Sequence, residues 1–275
     1  MTGLTTESRP GRDVDIGDGG QPVLRRIDER GVVALTLNRP QAYNALSEAM
    51  LAALATELDA ISHDESARVV VLGAAGKAFC AGHDLKEMRA EPSLAYYQAL
   101  FAQCARVMLA IQRLPVPVIA CVQGVATAAG CQLVAACDLA VASRDAKFAV
   151  SGVNLGLFCA SPGVALSRNV ARKAAFEMLV TGGFIGADEA LAKGLVNRVA
   201  DPARLDAEVD SLVASILAKP RAAVAMGKAL FYRQIEAGIA AAYDDAAQTM
   251  ARNMMDHCAL EGVQAFIDKR APDWR

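Results

Sequence analysis

Two stretches of small residues could each expose backbone N–H groups to a ligand. The first, GVATAAGCQLV at residues 124–134, follows a β-rich run, opens a helical pattern and carries one amide side chain, Gln132. The first turn of a helix has N–H groups without intrahelical partners and a partial positive charge. Small side chains let another backbone or an anion approach such a turn closely.

The second stretch, GKAFCAGHDLKE at residues 76–87, follows a strand-like run that ends at Leu72. It could supply another free N–H, and two backbone donors that converge on one oxygen form an oxyanion hole. For either loop alone, tight packing of a strand against a helix is the simpler explanation. His83 in this loop titrates near neutrality, so its ring could bind a carboxylate, carry a proton or merely pack at a pocket wall.

The elements that must position these loops alternate between strand and helix. Strand-like runs lie at 32–37, 68–72, 117–122 and 138–142, and helical patterns lie at 47–62, 94–113 and from Ala126 onward. This order predicts an α/β fold with a mostly parallel sheet and helices packed against it. Ser47 is placed to cap the first helix.

The two ends of the chain differ from this middle part. The first 22 residues are rich in Gly, Thr and Asp, and we expect a disordered leader there. They lack the apolar run of a signal peptide, and their acidic residues argue against a mitochondrial presequence. From Pro202 the pattern is helical throughout, with apolar faces that must be buried elsewhere, for instance against a second subunit. We therefore expect a leader over 1–22, a core over 23–201 and a helical region over 202–275.

Composition limits the possible functions. The chain has 275 residues with 28 basic and 30 acidic side chains, a formal charge of -2, so it has no broad basic field for nucleic acid. It contains no uninterrupted apolar span of membrane length. Seven cysteines without a C-x-x-C pair suit a reducing cytoplasm. Without an H-x-x-x-H pattern or a His/Cys cluster, a metal site is not expected.

Several other polar residues are assigned structural roles. Cys159 has no basic residue beside it, so we expect it to pack rather than to act as a nucleophile. Ser161, which precedes Pro162, is placed to cap a helix. Asp138 and Asp145 flank a strand and are expected to form caps and turns.

With these motifs in order, the chain resembles the enoyl-CoA hydratase/isomerase, or crotonase, superfamily. The resemblance covers nearly the whole chain after the leader and is carried by LNRPQAYNAL at 37–46, GKAFCAGHDLKEM at 76–88, PVIACVQGVATAAGCQLVAACDLAVAS at 117–143, FEMLVTGGFIGADEALAKGLVNRV at 176–199 and EGVQAFIDKRAPDW at 261–274. It implies a spiral of ββα units, a CoA thioester substrate, and C-terminal helices that build a homotrimer or a dimer of trimers. It implies no metal or redox cofactor. The oxyanion hole would be the backbone N–H groups of His83 and Ala129.

The resemblance also exposes a departure from the family pattern. Family hydratases carry glutamates at the positions matched by Gln132 and by Gly152, and such a pair can take a proton from water and deliver one to the α-carbon. An amide cannot do this near neutral pH, and glycine has no side chain. Gln132 could still orient a water or a substrate oxygen. We expect that restoring both acids, with Gln132→Glu and Gly152→Glu, would raise hydration.

Two other functions are open beside hydratase or isomerase chemistry. The segments AGHDLKE and GVNLG resemble family members that decarboxylate malonyl-type thioesters and have a histidine where His83 stands, although Cys159 occupies the place of their tyrosine. Decarboxylation needs carboxylate placement and enolate stabilisation but no glutamate base. The forms ATAAGCQLVA and GVNLGLFC resemble vertebrate hydratase-domain-containing proteins, which leaves a catalytically poor acyl-CoA-binding protein as the third possibility.

Further residues are assigned to CoA by the same resemblance. The backbone around Ala42 and the segment Ala81 to Leu85, which includes Asp84, would hold pantetheine and adenine, and Lys86 or Arg39 could meet phosphates. Phe266 and Lys269 match positions that approach CoA from the C-terminal helices, sometimes across a subunit boundary. Each basic side chain could equally be a solvated surface residue.

Overall fold

The computed structural model describes residues 20–274. Within them, ten strands follow in chain order: β1 Val23–Ile27, β2 Val32–Leu37, β3 Val69–Ala74, β4 Ala78–Cys80, β5 Val118–Val122, β6 Val125–Thr127, β7 Leu139–Ser143, β8 Lys147–Ala149, β9 Ile185–Gly186 and β10 Arg198–Ala200. The leader predicted over 1–22 lies outside the described residues, except for its last three.

Eleven α-helices connect or follow these strands in the described part of the chain: α1 Glu48–Ser62, α2 Leu85–Ala90, α3 Leu94–Arg113, α4 Ala129–Ala136, α5 Ala160–Asn169, α6 Arg172–Thr181, α7 Ala187–Ala192, α8 Leu205–Leu217, α9 Arg221–Gln234, α10 Ile239–Met254 and α11 His257–Ile267. Most of the predicted elements are present. The helix expected from Ala126 begins only at Ala129, because residues 125–127 pair with β4 and β8 as strand β6.

The strands form two sheets. The larger has the order β1-β2-β3-β5-β7-β10 and is parallel except for β1 against β2, and the smaller has the order β4-β6-β8-β9. Successive strand pairs, β3 with β4, β5 with β6 and β7 with β8, place one strand in each sheet before the chain enters a helix. This repetition is the spiral of ββα units, so the predicted α/β crotonase-like fold is confirmed.

The core lies on both faces of the larger sheet. On one face, the helices α1, α3 and α4 pack with residues such as Leu54, Val107 and Leu133, each at most 1% exposed. On the other face, α8 covers Ile119 and Val141 with Val209 and Val213. By length and composition alone α3 could span a membrane, but here its buried face belongs to the core.

The last three helices are mostly uncovered. α9, α10 and α11 each bury one residue, and α11 packs against α10. Ile239, Met255 and Phe266 are 75%, 77% and 85% exposed. No other part of residues 20–274 covers the apolar surface of these helices, and the division predicted at residue 202 stays a prediction.

Candidate functional site

The two small-residue loops of the sequence are in direct contact. A Cβ on Gly82 would lie 2.9 Å from Ala128 Cβ and 3.3 Å from Ala129 N, and a Cβ on Gly130 would overlap Cys80 O. Side chains at these positions would force α4 away from the end of β4. The packing explanation and the binding explanation are therefore compatible, because tight packing is what brings the two loops together.

The N–H groups of His83 and Ala129 both lie at this contact. Leu46 donates its N–H to Gly82 O at 2.7 Å and accepts from Asp84 N at 3.4 Å. Peptide N–H groups alternate in direction along an extended chain, so the His83 N–H points away from Leu46. The Ala129 N–H belongs to the unpaired first turn of α4. Within residues 20–274, neither group donates a hydrogen bond to a backbone carbonyl.

The conformation of Ala128 sets the direction of the Ala129 N–H. Ala128 has φ 51° and ψ -120°, which is the second position of a type II′ turn and usually requires glycine. Its own N–H donates to Ala149 O at 2.9 Å, which fixes one side of the turn. Strain of this kind is held by the surrounding structure and concentrates at functional sites.

We expect Ala128→Gly to raise the free energy of unfolding by about 1 kcal/mol, because glycine adopts this backbone conformation without strain. Ala135→Gly is the matched control, because Ala135 is an ordinary helical position in α4 and glycine there should lower stability by about 1 kcal/mol. Denaturant titration of both variants measures the difference. Equal destabilisation by the two changes would contradict the assignment of strain to Ala128.

The His83 ring is half-buried beside these donors. Its Nδ1 lies 3.3 Å from Leu46 O, and its ring meets Phe101 edge-on at 5.4 Å between centroids. Burial lowers the pKa of His83, although the bond to Leu46 opposes this. The imidazole is therefore neutral at pH 7, and a proton on Nδ1 shared with Leu46 O leaves the lone pair on Nε2.

Gln132 is buried with an unsatisfied acceptor. The residue is 5% exposed, and its Oε1 has no hydrogen-bond partner among the described residues. A helical side chain leans toward the N-terminus of its helix, so the amide leans toward the turn that presents the Ala129 N–H. A buried carbonyl without a donor lowers stability, which points to a donor group supplied by water or by a ligand.

Gly152 has no room for a side chain. It lies in a 3₁₀ turn, Ser151–Leu155, and the chain then folds back so that a Cβ would overlap Leu157 O and lie 2.7 Å from Cys159 Sγ. The Gly152 N–H donates to Cys159 Sγ at 3.2 Å. The position matched to the second glutamate is therefore closed by its own neighbours, which argues on steric grounds against the expected gain in hydration from Gly152→Glu.

Cys159 takes the packing role that the sequence predicted. It is 6% exposed, and burial raises the pKa of its thiol, with the Gly152 N–H opposing the shift. A protonated thiol is a poor nucleophile. The predicted cap at Ser161 is wrong, because α5 begins at Ala160 and Ser161 lies within its first turn.

Six of the residues assigned to CoA lie near one another. Arg39 Nη2 is 3.4 Å from Asp84 Oδ2, and Arg39 Nη1 is buried without a hydrogen-bond partner in the described part of the chain. Ala81 donates its N–H to Tyr43 O at 3.1 Å, directly after Ala42. Leu85 and Lys86 open α2 and are exposed, and the Lys86 N–H is capped by Asp84 Oδ1 at 3.1 Å.

Phe266 and Lys269 lie elsewhere. Phe266 is on α11 and Lys269 follows it with a positive φ of 55°, and both are exposed. Since α11 packs against α10, a single chain does not bring these residues to the Arg39 and Asp84 cluster. Their predicted contact with CoA would have to come across a subunit boundary.

Sequence reasoning missed a residue that positions the start of the 76–87 loop. Asn44 is fully buried with φ 54°. Its Oδ1 accepts from Arg39 N at 2.9 Å, and its Nδ2 donates to Ala75 O at 2.8 Å and Ala78 O at 2.9 Å. Its place in LNRPQAYNAL was visible, but the carbonyls that it binds are about thirty residues away in sequence. The exposed Lys77, 5.3 Å from the Tyr43 ring centroid, was also missed.

Within residues 20–274, one group of side chains has ligand atoms close enough together to hold a metal ion, and the expectation that the protein has no metal site stays a prediction. The ligand atoms of Asp256, His257 and Cys258 lie within 4.8 Å of one another at the start of α11. Asp256 already caps this helix by accepting from Cys258 N at 2.9 Å. Desolvation and the Asp256 carboxylate raise the pKa of the Cys258 thiol, which disfavours the thiolate that binds metals. We therefore assign Asp256 a capping role and no metal to this group.

Comparison with known proteins agrees with this fold. Residues 28–275 match the family described as enoyl-CoA hydratase/isomerase. The chain therefore belongs to the enoyl-CoA hydratase/isomerase family.

Individual relatives cover most of the chain. A crystal structure of an enoyl-CoA hydratase from Mycobacterium smegmatis is 71% identical, with a TM-score of 0.91, over 92% of this chain and 98% of that one. The structure of human enoyl-CoA hydratase domain-containing protein 3 is 43% identical, with a TM-score of 0.88, over 92% of this chain and 100% of that one. The mitochondrial protein of the same name from Xenopus laevis is 45% identical over 253 residues, 92% of this chain and 86% of the relative.

Proposed function

We propose that the protein binds an acyl-CoA thioester and stabilises its enolate with the backbone N–H groups of His83 and Ala129. The observation that carries the proposal is the contact of Gly82 with Ala128 and Ala129, where neither the His83 N–H nor the Ala129 N–H has a backbone acceptor among the described residues. Donors that are fixed before the reaction stabilise charge on a carbonyl oxygen without reorganisation. Membership of the family supports a thioester as the source of that oxygen.

Proton transfer in this site cannot follow the two-glutamate scheme. Gln132 cannot exchange a proton at neutral pH, and Gly152 has no side chain and no space for one. We propose a lyase of the hydratase/isomerase type in which Gln132 Oε1 accepts a hydrogen bond from a bound water or a substrate hydroxyl. The name of the Mycobacterium smegmatis relative supports an enoyl-CoA substrate.

The closed position at Gly152 favours a second candidate, decarboxylation of a malonyl-type thioester. This reaction needs no base, because loss of CO₂ itself generates the enolate. The oxyanion hole formed by the His83 and Ala129 N–H groups would stabilise that enolate. Because Nδ1 is engaged with Leu46 O, the His83 ring could hold the departing carboxylate only by donating from Nε2, which requires a proton on that atom. Binding without turnover is the remaining alternative.

Contacts to CoA and the assembly complete the proposal. We assign Ala42, Ala81, Asp84 and Leu85 to the pantetheine and adenine, and Arg39 and Lys86 to the phosphates. The exposed apolar surface of α9 to α11 supports a homotrimer or a dimer of trimers, in which Phe266 and Lys269 reach the CoA of a neighbouring copy. No metal or redox cofactor takes part. Seven free thiols support a reducing cytoplasm, whereas the Xenopus laevis relative is named as mitochondrial.

The proposal is tested by titrating crotonyl-CoA and a longer 2-enoyl-CoA calorimetrically, while the enoyl-thioester absorbance of the same mixtures is followed. We expect the wild-type protein to bind both thioesters and to lower their absorbance slowly. In Gln132→Glu the absorbance should fall at least about tenfold faster, because one positioned acid or base raises a reaction rate by about 10²-fold or more. Gln248→Glu is the control, because it adds the same charge at an exposed site on α10.

Three outcomes separate the candidates. Tight binding without turnover of either enoyl thioester, combined with CO₂ release from malonyl-CoA that is lost in His83→Asn, would favour decarboxylation. Tight binding without any turnover would leave the binding role. Failure to bind every thioester would refute the proposal as a whole.

A further inference from the structure

A buried cluster of polar side chains joins the C-terminal helices to the core. Lys228 is the one buried residue of α9, and its side chain is 6% exposed. Its ammonium donates to Ile111 O and Val116 O at 2.9 Å each and to Asp138 Oδ2 at 2.7 Å. All three of its donors are therefore used.

Asp138 is held from two further directions. Its Oδ2 also accepts from Val118 N at 2.6 Å, and its Oδ1 accepts from the Tyr232 hydroxyl at 2.7 Å. Tyr232 lies four residues after Lys228, so both side chains project from the same face of α9. The predicted role of Asp138 as a simple cap or turn residue is thus too limited, because it connects the start of β5 to α9.

The position of Asp138 links this cluster to the thioester site. Asp138 directly follows Cys137, the C-cap residue of α4, and α4 spans Ala129–Ala136. A helix of that length is about 12 Å long, and its C-terminus carries a partial negative charge that disfavours a nearby carboxylate. Lys228 supplies the compensating cation. Because such a short helix moves as one body, fixing its C-terminal end restricts its first turn.

We propose that Lys228 and Tyr232 of α9 anchor Asp138, and with it the C-terminal end of α4, and thereby keep the Ala129 N–H pointing at the same position as the His83 N–H. The inference rests on the proposed oxyanion hole of the His83 and Ala129 N–H groups. It gives Lys228 an effect on the thioester carbonyl without contact with the substrate. It also couples the placement of the exposed C-terminal helices to that of the α4 turn.

The test uses dimethylaminocinnamoyl-CoA, whose absorbance moves to longer wavelength when hydrogen bonds polarise its carbonyl. Lys228→Met alone should unfold at a lower temperature, because it leaves a buried carboxylate without its cation. Lys228→Met with Asp138→Asn should recover much of that stability, yet retain less than half of the wild-type red shift at saturation. Tyr232→Phe should retain an intermediate shift.

Arg233→Met is the matched control. Arg233 follows Tyr232 on α9, but it pairs with Asp245 of α10 on the exposed side at 2.7 and 2.9 Å. The probe bound to Arg233→Met should therefore show the same red shift as the probe bound to the wild-type protein. A full red shift in the folded double variant, or in Tyr232→Phe if the double variant does not fold, would overturn the positioning role alone. If the wild-type protein leaves the probe's absorbance unchanged, both the proposed oxyanion hole and the positioning role are refuted.

Discussion

Gly130→Ala is expected to lower the free energy of unfolding by about 3 kcal/mol and to abolish thioester binding. A Cβ at Gly130 would overlap Cys80 O and lie 2.9 Å from Cys80 Cβ. The carbonyl belongs to the backbone of β4 and cannot rotate away. The helix α4 must therefore shift, which separates the Ala129 N–H from the loop that carries His83.

Denaturant titration and calorimetric titration with crotonyl-CoA measure the two effects. Gly227→Ala on α9 is the control, because a Cβ there meets no atom within 4 Å and alanine should raise stability by about 0.5–1 kcal/mol. Wild-type stability and affinity in Gly130→Ala would show that α4 and β4 can move apart without consequence.

Gly152→Glu is expected to disrupt the turn at residues 157–159 rather than to supply an acid. Its Cβ would overlap Leu157 O and press on Cys159 Sγ, so the turn at 157–159 must open at a cost of about 3 kcal/mol. The combination of Gln132→Glu with Gly152→Glu should therefore hydrate crotonyl-CoA more slowly than Gln132→Glu alone.

Initial rates from enoyl absorbance, together with melting temperatures, distinguish the variants. Gly183→Glu is the matched control, because Gly183 is exposed and the nearest atom to its Cβ is Thr181 Oγ1 at 3.7 Å. A double variant that is both stable and faster than Gln132→Glu would mean that the 157–159 turn rearranges readily.

Features set by local physics were predictable from the sequence. The helix predicted at 94–113 has those bounds, and Ser47 caps α1 by accepting from Met50 N at 3.1 Å. Both depend on periodicity and capping within a few residues. The strand β6 was missed because its three residues are stabilised by β4 and β8, which lie far away in the chain.

The site was predictable only in part, for the same reason. The sequence identified the two loops and the absence of acids at Gln132 and Gly152. It could not reveal that Cys159 closes the space beside Gly152, because that depends on how the chain folds back. Nor could it reveal the partner of Asp138, because Lys228 is 90 residues away.

The two positions without acids differ in evolutionary reversibility. At Gln132 the buried amide already occupies the volume of a glutamate, so one substitution could restore an acid in place. At Gly152 the neighbouring turn has filled the space, so a glutamate would be selected against until residues 157–159 had changed first. A single substitution, Gln132→Glu, can therefore place one acid in the site. A second acid at Gly152 requires changes at residues 157–159 before the glutamate itself.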